Sequence, residues 1–307
     1  MINDISNFIG IEFLFLSCIA FFCEYIDSSL GAGYGTTLTP LLMLFGFDPS
    51  LIVPAVLFSE FLSGILSGIL HVLVKNMQVG TNKQALQMDS RSNIKLIGNS
   101  KTSSLNLDQS RIARTYLNMT IDSKIIVIFS FFGVAGSIIA ACISSVFNYS
   151  AMVKFGIKMY IGIMVLSMGI ITLGSGKMNA KFSFKKITVI GALAGFNKSI
   201  SGGGYGPLAV TGQVIIGRDG KNAIGTTSLS EGIICLSGVI TYFITSSILG
   251  TSFLNFKLAL PLVIGALSST PLAVVTTKKI KNSLLKKLVG FSSILLGILS
   301  VLRLFMP

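Results

Sequence analysis

Apolar runs recur along the whole chain, and their lengths constrain the fold more than any other feature of the sequence. Six of them are about 20 residues or longer, which is enough for a helix to cross the hydrocarbon core of a bilayer. They occupy residues 51–74, 125–147, 152–173, 223–249, 258–277 and 284–306. Only 11% of the 307 residues are charged, whereas a soluble domain has about 25%. The sequence therefore predicts an all-α polytopic membrane protein with the lipid bilayer as its solvent.

Two shorter pairs of apolar runs are each interrupted by a glycine-rich stretch. The pairs occupy residues 9–23 with 36–45, and 187–196 with 208–216. The stretches between them read GAGYG at 31–35, the first tip, and GGGYG at 202–206, the second tip. Irregular backbone at membrane depth is tolerated only where it faces protein or lines a cavity. Each pair is therefore predicted to form a Gly-broken, re-entrant helical hairpin that turns back at its tip.

The two tips belong to an internal repeat. A shift of 171 residues aligns them without a gap and also aligns Glu60 with Glu231. Eight of the thirty positions from 31 to 60 are identical, which gene duplication and fusion explain. We therefore predict a first repeat formed by 1–74 and 123–176 and a second formed by 177–307, each a hairpin plus three transmembrane helices. The polar stretch 75–122 is predicted to be a mobile loop, because it lacks the apolar residues that a core requires.

Basic residues predict how the repeats face the membrane. Nineteen of the 24 Lys and Arg residues fall in 75–124, 177–186, 218–221 and 278–287, and such an excess marks cytoplasmic loops. Three crossings per half then make the halves inverted-topology repeats in the cell membrane, with both termini external and 75–122 cytoplasmic. The alternative gives eight crossings, because the first run of each half then spans the membrane. It would put Lys186 and Lys221 on opposite sides.

The tips are candidate binding sites for an anion. Each precedes a short helix whose free backbone N–H groups carry partial positive charge, and two inverted copies aim both helix starts at one central site. Lys198, four residues before the second tip, adds an ammonium. The alternative is that the glycines only permit a tight helix crossing. The predicted substrate-binding residues are Gly31, Gly33, Tyr34, Gly35, Asn197, Lys198, Gly202, Gly203, Gly204, Tyr205 and Gly206.

Acidic residues near the tips are candidates for proton coupling or for charge pairing. Asp27 occupies the position equivalent to Lys198, with which it is predicted to pair, and Glu24 lies one turn earlier. Glu60 and Glu231 are predicted either to carry a coupling proton or to cap the N–H groups of the tips. Ionisable groups at this depth are costly, so they face a cavity or a partner.

Cofactor chemistry is not expected from this sequence. The four cysteines lie in apolar segments without metal-ligand spacing. His71, the single histidine, is predicted to be an interfacial group near the cytoplasmic end of its helix, with a proton relay as the alternative. Neither tip is followed by the G-K-[ST] of a phosphate-binding loop. We predict no metal, no cofactor, no enzymatic activity and no nucleic-acid partner, and the oligomeric state is left open.

The paired motifs resemble those of the TauE/SafE family of sulfite exporters and small-anion permeases. The first copy reads GAGYGTTLTPLLMLFGFDP and then VPAVLFSEFLSG, and the second reads FNKSISGGGYGPLAVTGQVIIG and then GTTSLSEG. The resemblance covers nearly the whole chain except 75–124. The chain departs from it in lacking a proline in the second copy where Pro40 stands in the first, and in the length of its polar linker.

The resemblance implies a secondary transporter, a permease or exporter, whose substrate is a small anion such as sulfite, an organosulfonate or a small carboxylate. It also implies transport by alternating access with possible coupling to protons. An ion channel or a non-transporting membrane receptor is the alternative. The tips are similar to the T-V-G-Y-G filter of potassium channels, but that filter needs four copies and follows a pore helix. Here charged segments precede two inverted copies.

Overall fold

The computed structural model describes residues 2–47, 49–81, 118–146, 183–250 and 254–302, together with Phe305 and some residues between 155 and 174. Nine helices in this part of the chain have defined bounds. They are α1 (Ile2–Leu30), α2 (Tyr34–Leu44), α3 (Pro49–Leu73), α4 (Ile121–Val146), α5 (Phe184–Ser201), α6 (Tyr205–Ile215), α7 (Gly220–Leu249), α8 (Phe256–Lys279) and α9 (Asn282–Leu302). Most of the predicted run 152–173, most of the polar stretch 75–122 and Asp48 lie outside the described residues.

Five of these helices are long and apolar enough to cross a membrane, as judged by length and composition. Their candidate spans are Gly10–Leu30, Ser50–Leu73, Ile121–Ser144, Gly220–Leu249 and Phe256–Lys279. A shorter apolar stretch, Gly290–Leu299, lies in α9. The prediction of an all-α, multi-pass membrane protein is confirmed.

The first helix is longer than its apolar run predicted. The run 9–23 indicated a short segment, whereas α1 has 29 residues and continues through Glu24 and Asp27. These polar residues end the apolar run but not the helix, because they are buried against neighbouring helices rather than exposed to lipid. Gly10–Leu30 is consequently long enough to span a membrane, as the eight-crossing alternative requires of the first run. The counterpart α5 has 18 residues.

The first helix of each half packs against a helix of the other half. α1 runs parallel to α8, with Gly265 against Ser17 and the Tyr25 hydroxyl 2.9 Å from Thr276 Oγ1. α5 runs parallel to α4 in the same way, with Gly195 against the backbone of Gly133. The small residues let these backbones approach closely, as is common between helices in membranes. The two halves are therefore interleaved.

α3 and α7 cross the centre of the molecule in opposite directions. Gly64 of α3 lies against Gly232 of α7, and Gly68, one turn later, lies against Leu229. Both helices follow directly after a hairpin, α1–α2 or α5–α6. Because α3 and α7 are antiparallel, the first hairpin opens at the end of the helical bundle where α3 begins, and the second opens at the opposite end, where α7 begins.

Both ends of the polar stretch 75–122 are held in place. The backbone N–H of Gln78 donates to Asp122 Oδ2 at 2.7 Å, and a single β-bridge joins Thr81 to Met119. Asp122 also forms an ion pair with Arg218, in the turn between α6 and α7. One buried carboxylate thus accepts from the start of the polar stretch and from the turn between α6 and α7, while the mobility predicted for the stretch stays a prediction.

Candidate functional site

The two tips pass each other in backbone contact at the centre of the molecule. A side chain on Gly35 would collide with the Gly202 carbonyl oxygen, and one on Gly203 would lie 2.6 Å from the backbone nitrogen of Thr36. On the other side of the contact, a side chain on Gly206 would lie 2.9 Å from the nitrogen of Gly33. The tip glycines therefore permit close approach of backbone to backbone, which is the alternative that the sequence left open.

Equivalent glycines in the two tips share positive φ angles. Gly31 and Gly202 have φ angles of 70° and 74°, and Gly33 and Gly204 have φ angles of 86° and 80°. Positive φ is costly for residues with a side chain. The two turns are not identical, however, because ψ is 103° at Gly33 and −1° at Gly204.

Tyrosine hydroxyls anchor each tip to the helix that follows it. The Tyr34 hydroxyl accepts a hydrogen bond from Ser59 at 3.2 Å, and the equivalent Tyr205 hydroxyl lies 2.8 Å from Ser230 Oγ. Both rings are fully buried. These two predicted substrate-binding residues therefore hold the hairpins in position, and their polar atoms are used inside the protein.

The first backbone N–H groups of the two short helices are satisfied differently. Gly33 donates to Asp27 Oδ1 at 2.7 Å, whereas Gly204 donates to Thr36 Oγ1 of the first tip at 2.8 Å. Position 198 carries lysine, which cannot accept a hydrogen bond, so the second tip takes its acceptor from the first. The prediction that Glu60 and Glu231 cap the tips is wrong, because Asp27 and Thr36 supply the acceptors.

Lys198 joins the two halves through the glutamates. Its ammonium forms ion pairs with Glu60 of α3 and with Glu231 of α7, the latter at 2.8 Å. The lysine has 0% of its surface exposed. The predicted pair of Lys198 with Asp27 is not formed among the described residues, because α3 and α7 place their equivalent glutamates on the ammonium while Asp27 turns towards Gly33.

The carboxylates line a small polar cavity between α1, α3 and α7. It has a volume of about 10 Å³, close to the smallest that admits one water molecule. Asp27, Glu60 and Glu231 have oxygens within 4.8 Å of one another, and the Lys198 ammonium takes the place that a cation would have there. The residues that line the cavity are Glu24, Asp27, Ser28, Glu60, Ser63, Gly64, Ser228 and Glu231.

The structure brings together the charged residues that the sequence singled out. Glu24 completes the group and accepts a hydrogen bond from Ser28 at 2.7 Å. Asn197 is buried beside Lys198 on α5. Sequence reasoning missed Thr36, Ser28 and Ser63, since single hydroxyl residues in a membrane helix carry no distinguishing pattern. The identity of Ser59 and Ser230 in the repeat was the one signal available for the hydroxyl contacts.

Comparisons with known proteins agree with this architecture. The sequence pattern of the family described as "Sulfite exporter TauE/SafE" matches residues 97–300, more than half of the chain. The chain belongs to the TauE/SafE family. It is also 25% identical over 283 residues to the "Probable membrane transporter protein YtnM" of Bacillus subtilis (strain 168), a match that covers 91% of this chain and 78% of that protein. No solved structure matches the chain significantly. Family membership supports a membrane transporter rather than an enzyme.

Proposed function

We propose that the chain is a secondary transporter that moves a small anion by alternating access, with Lys198 as the cationic ligand of the anion. Sulfite is the first candidate, and organosulfonates and small carboxylates follow. The observation that carries the proposal is the position of Lys198, a fully buried ammonium shared by glutamates from both halves. A charge at this depth is costly unless it has a partner or a function.

The charge count of the cavity supports proton coupling. Four carboxyl groups, those of Glu24, Asp27, Glu60 and Glu231, share the cavity lining, while the Lys198 ammonium contacts two of them, Glu60 and Glu231. Four buried carboxylates against one ammonium leave a surplus of negative charge, which is unfavourable at low dielectric. Protonation of some carboxyl groups removes the surplus at the least cost.

Proton binding by the glutamates and anion binding by Lys198 are then coupled. Protonation of Glu60 or Glu231 weakens its ion pair with the ammonium and leaves Lys198 available to a substrate anion. Anion binding in turn favours the protonated glutamates, because binding linkage is reciprocal. We therefore expect proton and anion to bind together. The cavity of about 10 Å³ is smaller than such an anion, so binding requires the two hairpins to separate, which is consistent with a carrier rather than an open channel.

The proposal includes an inverted-repeat architecture with midplane hairpins. Its support is that α3 and α7 are antiparallel, that the hairpins open at opposite ends, and that equivalent tip glycines share their φ angles. Single cysteines at 48 and 219, in a chain freed of its native cysteines, should be labelled from opposite faces of the membrane by an impermeant maleimide. Labelling of both from one face would contradict the inverted arrangement.

The anion-ligand role is tested by calorimetric titration of the purified protein with sulfite, methanesulfonate and acetate. Lys198→Ala should weaken binding of the anion that the wild type prefers by about tenfold or more, roughly 1.4 kcal/mol. Lys198→Arg should restore it only in part, because a planar guanidinium fills a compact site differently. Proton uptake should accompany binding, measured by repeating the titration in buffers with different ionisation enthalpies.

A matched variant separates an anion ligand from a structural charge. Removing Lys198 alone leaves two glutamates unpaired, which is strongly destabilising. The triple variant Lys198→Met, Glu60→Gln, Glu231→Gln removes the whole ion-pair group and should fold. If this variant binds the anion as tightly as wild type does, Lys198 is not a ligand. Unitary currents in a planar bilayer, instead of saturable flux, would favour the channel alternative.

A further inference from the structure

A line of buried polar side chains leads from the central cavity along α3 and α1. Glu60, Ser63, Ser67 and His71 follow one another at intervals of three or four residues on α3 and so lie on one face of the helix. All four are buried, and Ser63, Ser67 and His71 have 0% exposure. His71, predicted to be interfacial near the end of its helix, lies in the last turn of α3 and is buried between helices. Polar groups buried in this way are costly without partners.

Hydrogen bonds connect this face to the neighbouring helix. Ser28 of α1 donates to Glu24 Oε1 at 2.7 Å and lies 3.2 Å from Ser67 Oγ. At the far end, His71 Nδ1 is 3.0 Å from the side-chain nitrogen of Asn76. Glu24 Oε2 and His71 Nε2 are buried and form no hydrogen bond of good geometry with the described residues. Glu24 Oε2 can therefore take up a proton, whereas a neutral His71 that accepts from Asn76 at Nδ1 carries its hydrogen on Nε2, from which it can donate.

The equivalent positions of the second half lack this line. The shift of 171 residues places Gly195 opposite Glu24, Ile234 opposite Ser63, Gly238 opposite Ser67 and Tyr242 opposite His71. The Tyr242 hydroxyl donates to the Ser199 carbonyl oxygen at 3.0 Å, and Tyr242 packs in an apolar cluster with Cys235 and Leu57. No carboxylate or imidazole stands at these four positions. The duplicated scaffold therefore carries a polar line in one direction only.

The packing of α3 shows to which end of the bundle the polar line leads. His71 lies against Gly225, near the start of α7, at the end of the bundle that also holds the Asp122–Arg218 ion pair. This end carries the basic segments predicted to be cytoplasmic. The line thus leads from the central carboxyl groups towards the end of the bundle where Arg218 lies.

We infer that Glu24, Ser28, Ser67 and His71 form a one-sided proton relay, which loads the central glutamates from the face where Arg218 lies. The purpose of the relay rests on the proposed function, since the protons it delivers free Lys198 for the anion. Glu24 is the proton-loading group. The ligand of this site is a proton, because the line consists of side chains that can each accept and donate one.

Each hop breaks one O–H or N–H bond and forms another, with no transfer of electrons. A proton bound by His71 passes to Ser67, whose oxygen accepts it. Ser28 is the donor in its contact with Ser67, so the Ser67 hydroxyl has to turn towards Ser28 before it releases its own proton there. Ser28 releases a proton to Glu24 Oε1, and Glu24 passes it across the cavity to Glu60 or Glu231. The hop from His71 to Ser67 spans one helical turn, about 6 Å, so a side-chain rotation or a water molecule has to close it.

The surroundings of the two end groups are consistent with these roles. The described neighbours of His71 include the Asn76 side chain, Gly225, Met77 and the backbone of Ser28, none of which carries a charge. Titratable or charged groups face Glu24 from four other elements and from its own helix. They are Cys23 and Asp27 on α1, Tyr34 on α2, Glu60 on α3, Glu231 on α7 and, through the glutamates, Lys198 on α5.

The test uses dicyclohexylcarbodiimide, which modifies protonated carboxyl groups in apolar surroundings and needs no substrate. The full chain is reconstituted in vesicles in a known orientation, with an acidic buffer on one face and an alkaline buffer on the other. Peptide mass spectrometry then measures modification of Glu24. Modification should follow the pH on the Arg218 face, and Ser67→Ala and His71→Gln should slow its response to a pH jump by about tenfold.

The second half supplies the controls. Tyr242→Phe, equivalent to His71, and Ser199→Ala, equivalent to Ser28, should leave the response unchanged, and thermal unfolding checks that each variant folds. Modification that follows the pH of the opposite face, or an unchanged rate in both Ser67→Ala and His71→Gln, would overturn the relay.

Transport measurements distinguish a failure of the relay from a failure of the proposed function. With radioactive sulfite in the same vesicles, Glu24→Gln should abolish uptake driven by a pH gradient but preserve sulfite exchange at equal pH, because exchange requires no net proton movement. If the wild type shows no sulfite exchange, sulfite is not the substrate. The carbodiimide result would still decide whether the relay exists.

Discussion

The two tips share positive φ angles at equivalent glycines and differ in their chemistry. Gly33 and Gly204 adopt φ angles of 86° and 80°, and each tip is anchored by a tyrosine hydroxyl to a serine one helix later. The residue four positions before the tip differs. Asp27 caps its own tip, whereas Lys198 reaches the glutamates and leaves its tip to be capped by Thr36. The two tips therefore keep equivalent anchors, and the acid-to-base difference between Asp27 and Lys198 is one source of the asymmetry of the site.

The largest effect is expected where the two tips touch. Gly35→Ala would place a methyl group inside the van der Waals radius of the Gly202 carbonyl oxygen, and the backbone on both sides cannot move without separating the hairpins. We expect a loss of about 3 kcal/mol or more, measured as a fall in the unfolding temperature or as failure to yield a monodisperse protein. Gly10→Ala, where no atom lies within 4 Å, is the control. Wild-type stability of Gly35→Ala would show that the tips are not in contact.

A smaller loss of stability is expected when the acceptor that caps either tip is removed. Thr36→Val keeps the shape of the side chain but removes the acceptor for the Gly204 N–H group, and Asp27→Leu does the same for Gly33. A buried N–H group left without a partner costs about 1–3 kcal/mol. Asp27→Asn keeps an acceptor oxygen and should cost less than Asp27→Leu. Equal unfolding temperatures for Asp27→Asn and Asp27→Leu would contradict capping by the side chain.

The tyrosine hydroxyls test whether the two hairpins are anchored equally. Tyr34→Phe and Tyr205→Phe each remove a single hydroxyl that contacts the equivalent serine. Each should lower the free energy of unfolding by about 1 kcal/mol, and the double variant should lose the sum, because the two contacts share no partner. A difference of more than a factor of two between the single variants would show that the anchors are not equivalent.

The smallest effect is expected in the polar stretch. The first half joins α3 to α4 through about forty more residues than the second half uses between α7 and α8. The described ends of this region form hydrogen bonds with each other. Replacing residues 84–116 by a short Gly-Ser linker should change the unfolding temperature by less than the equivalent of about 1 kcal/mol. Asp122→Ala, which removes the acceptor at the base of the stretch, should be more destabilising. The reverse order would assign a structural role to the replaced residues.

Much of the fold follows from patterns that are local in the chain. The helical, multi-pass class follows from the lengths of the apolar runs, and the two broken hairpins follow from glycines flanked by short runs. The extent of α1 did not follow, because Glu24 and Asp27 end an apolar run and only burial against other helices lets the helix continue. The grouping of Asp27, Glu60, Glu231 and Lys198 around one cavity was foreseeable from the repeat, since equivalent residues of paired halves converge on the axis between them.

The partners within that group depended on the tertiary structure alone. The sequence by itself indicated a membrane protein, showed an internal repeat around the two tips, and predicted which charges lie near them. Only the packing of α3 against α7 decided that Lys198 contacts Glu60 and Glu231 rather than Asp27, and only the crossing of the tips gave Gly204 its acceptor on Thr36. Hydrophobic length and composition are properties of a single segment. A hydrogen bond or ion pair instead depends on distances of about 3 Å between segments far apart in the chain, and these are set when the whole bundle packs.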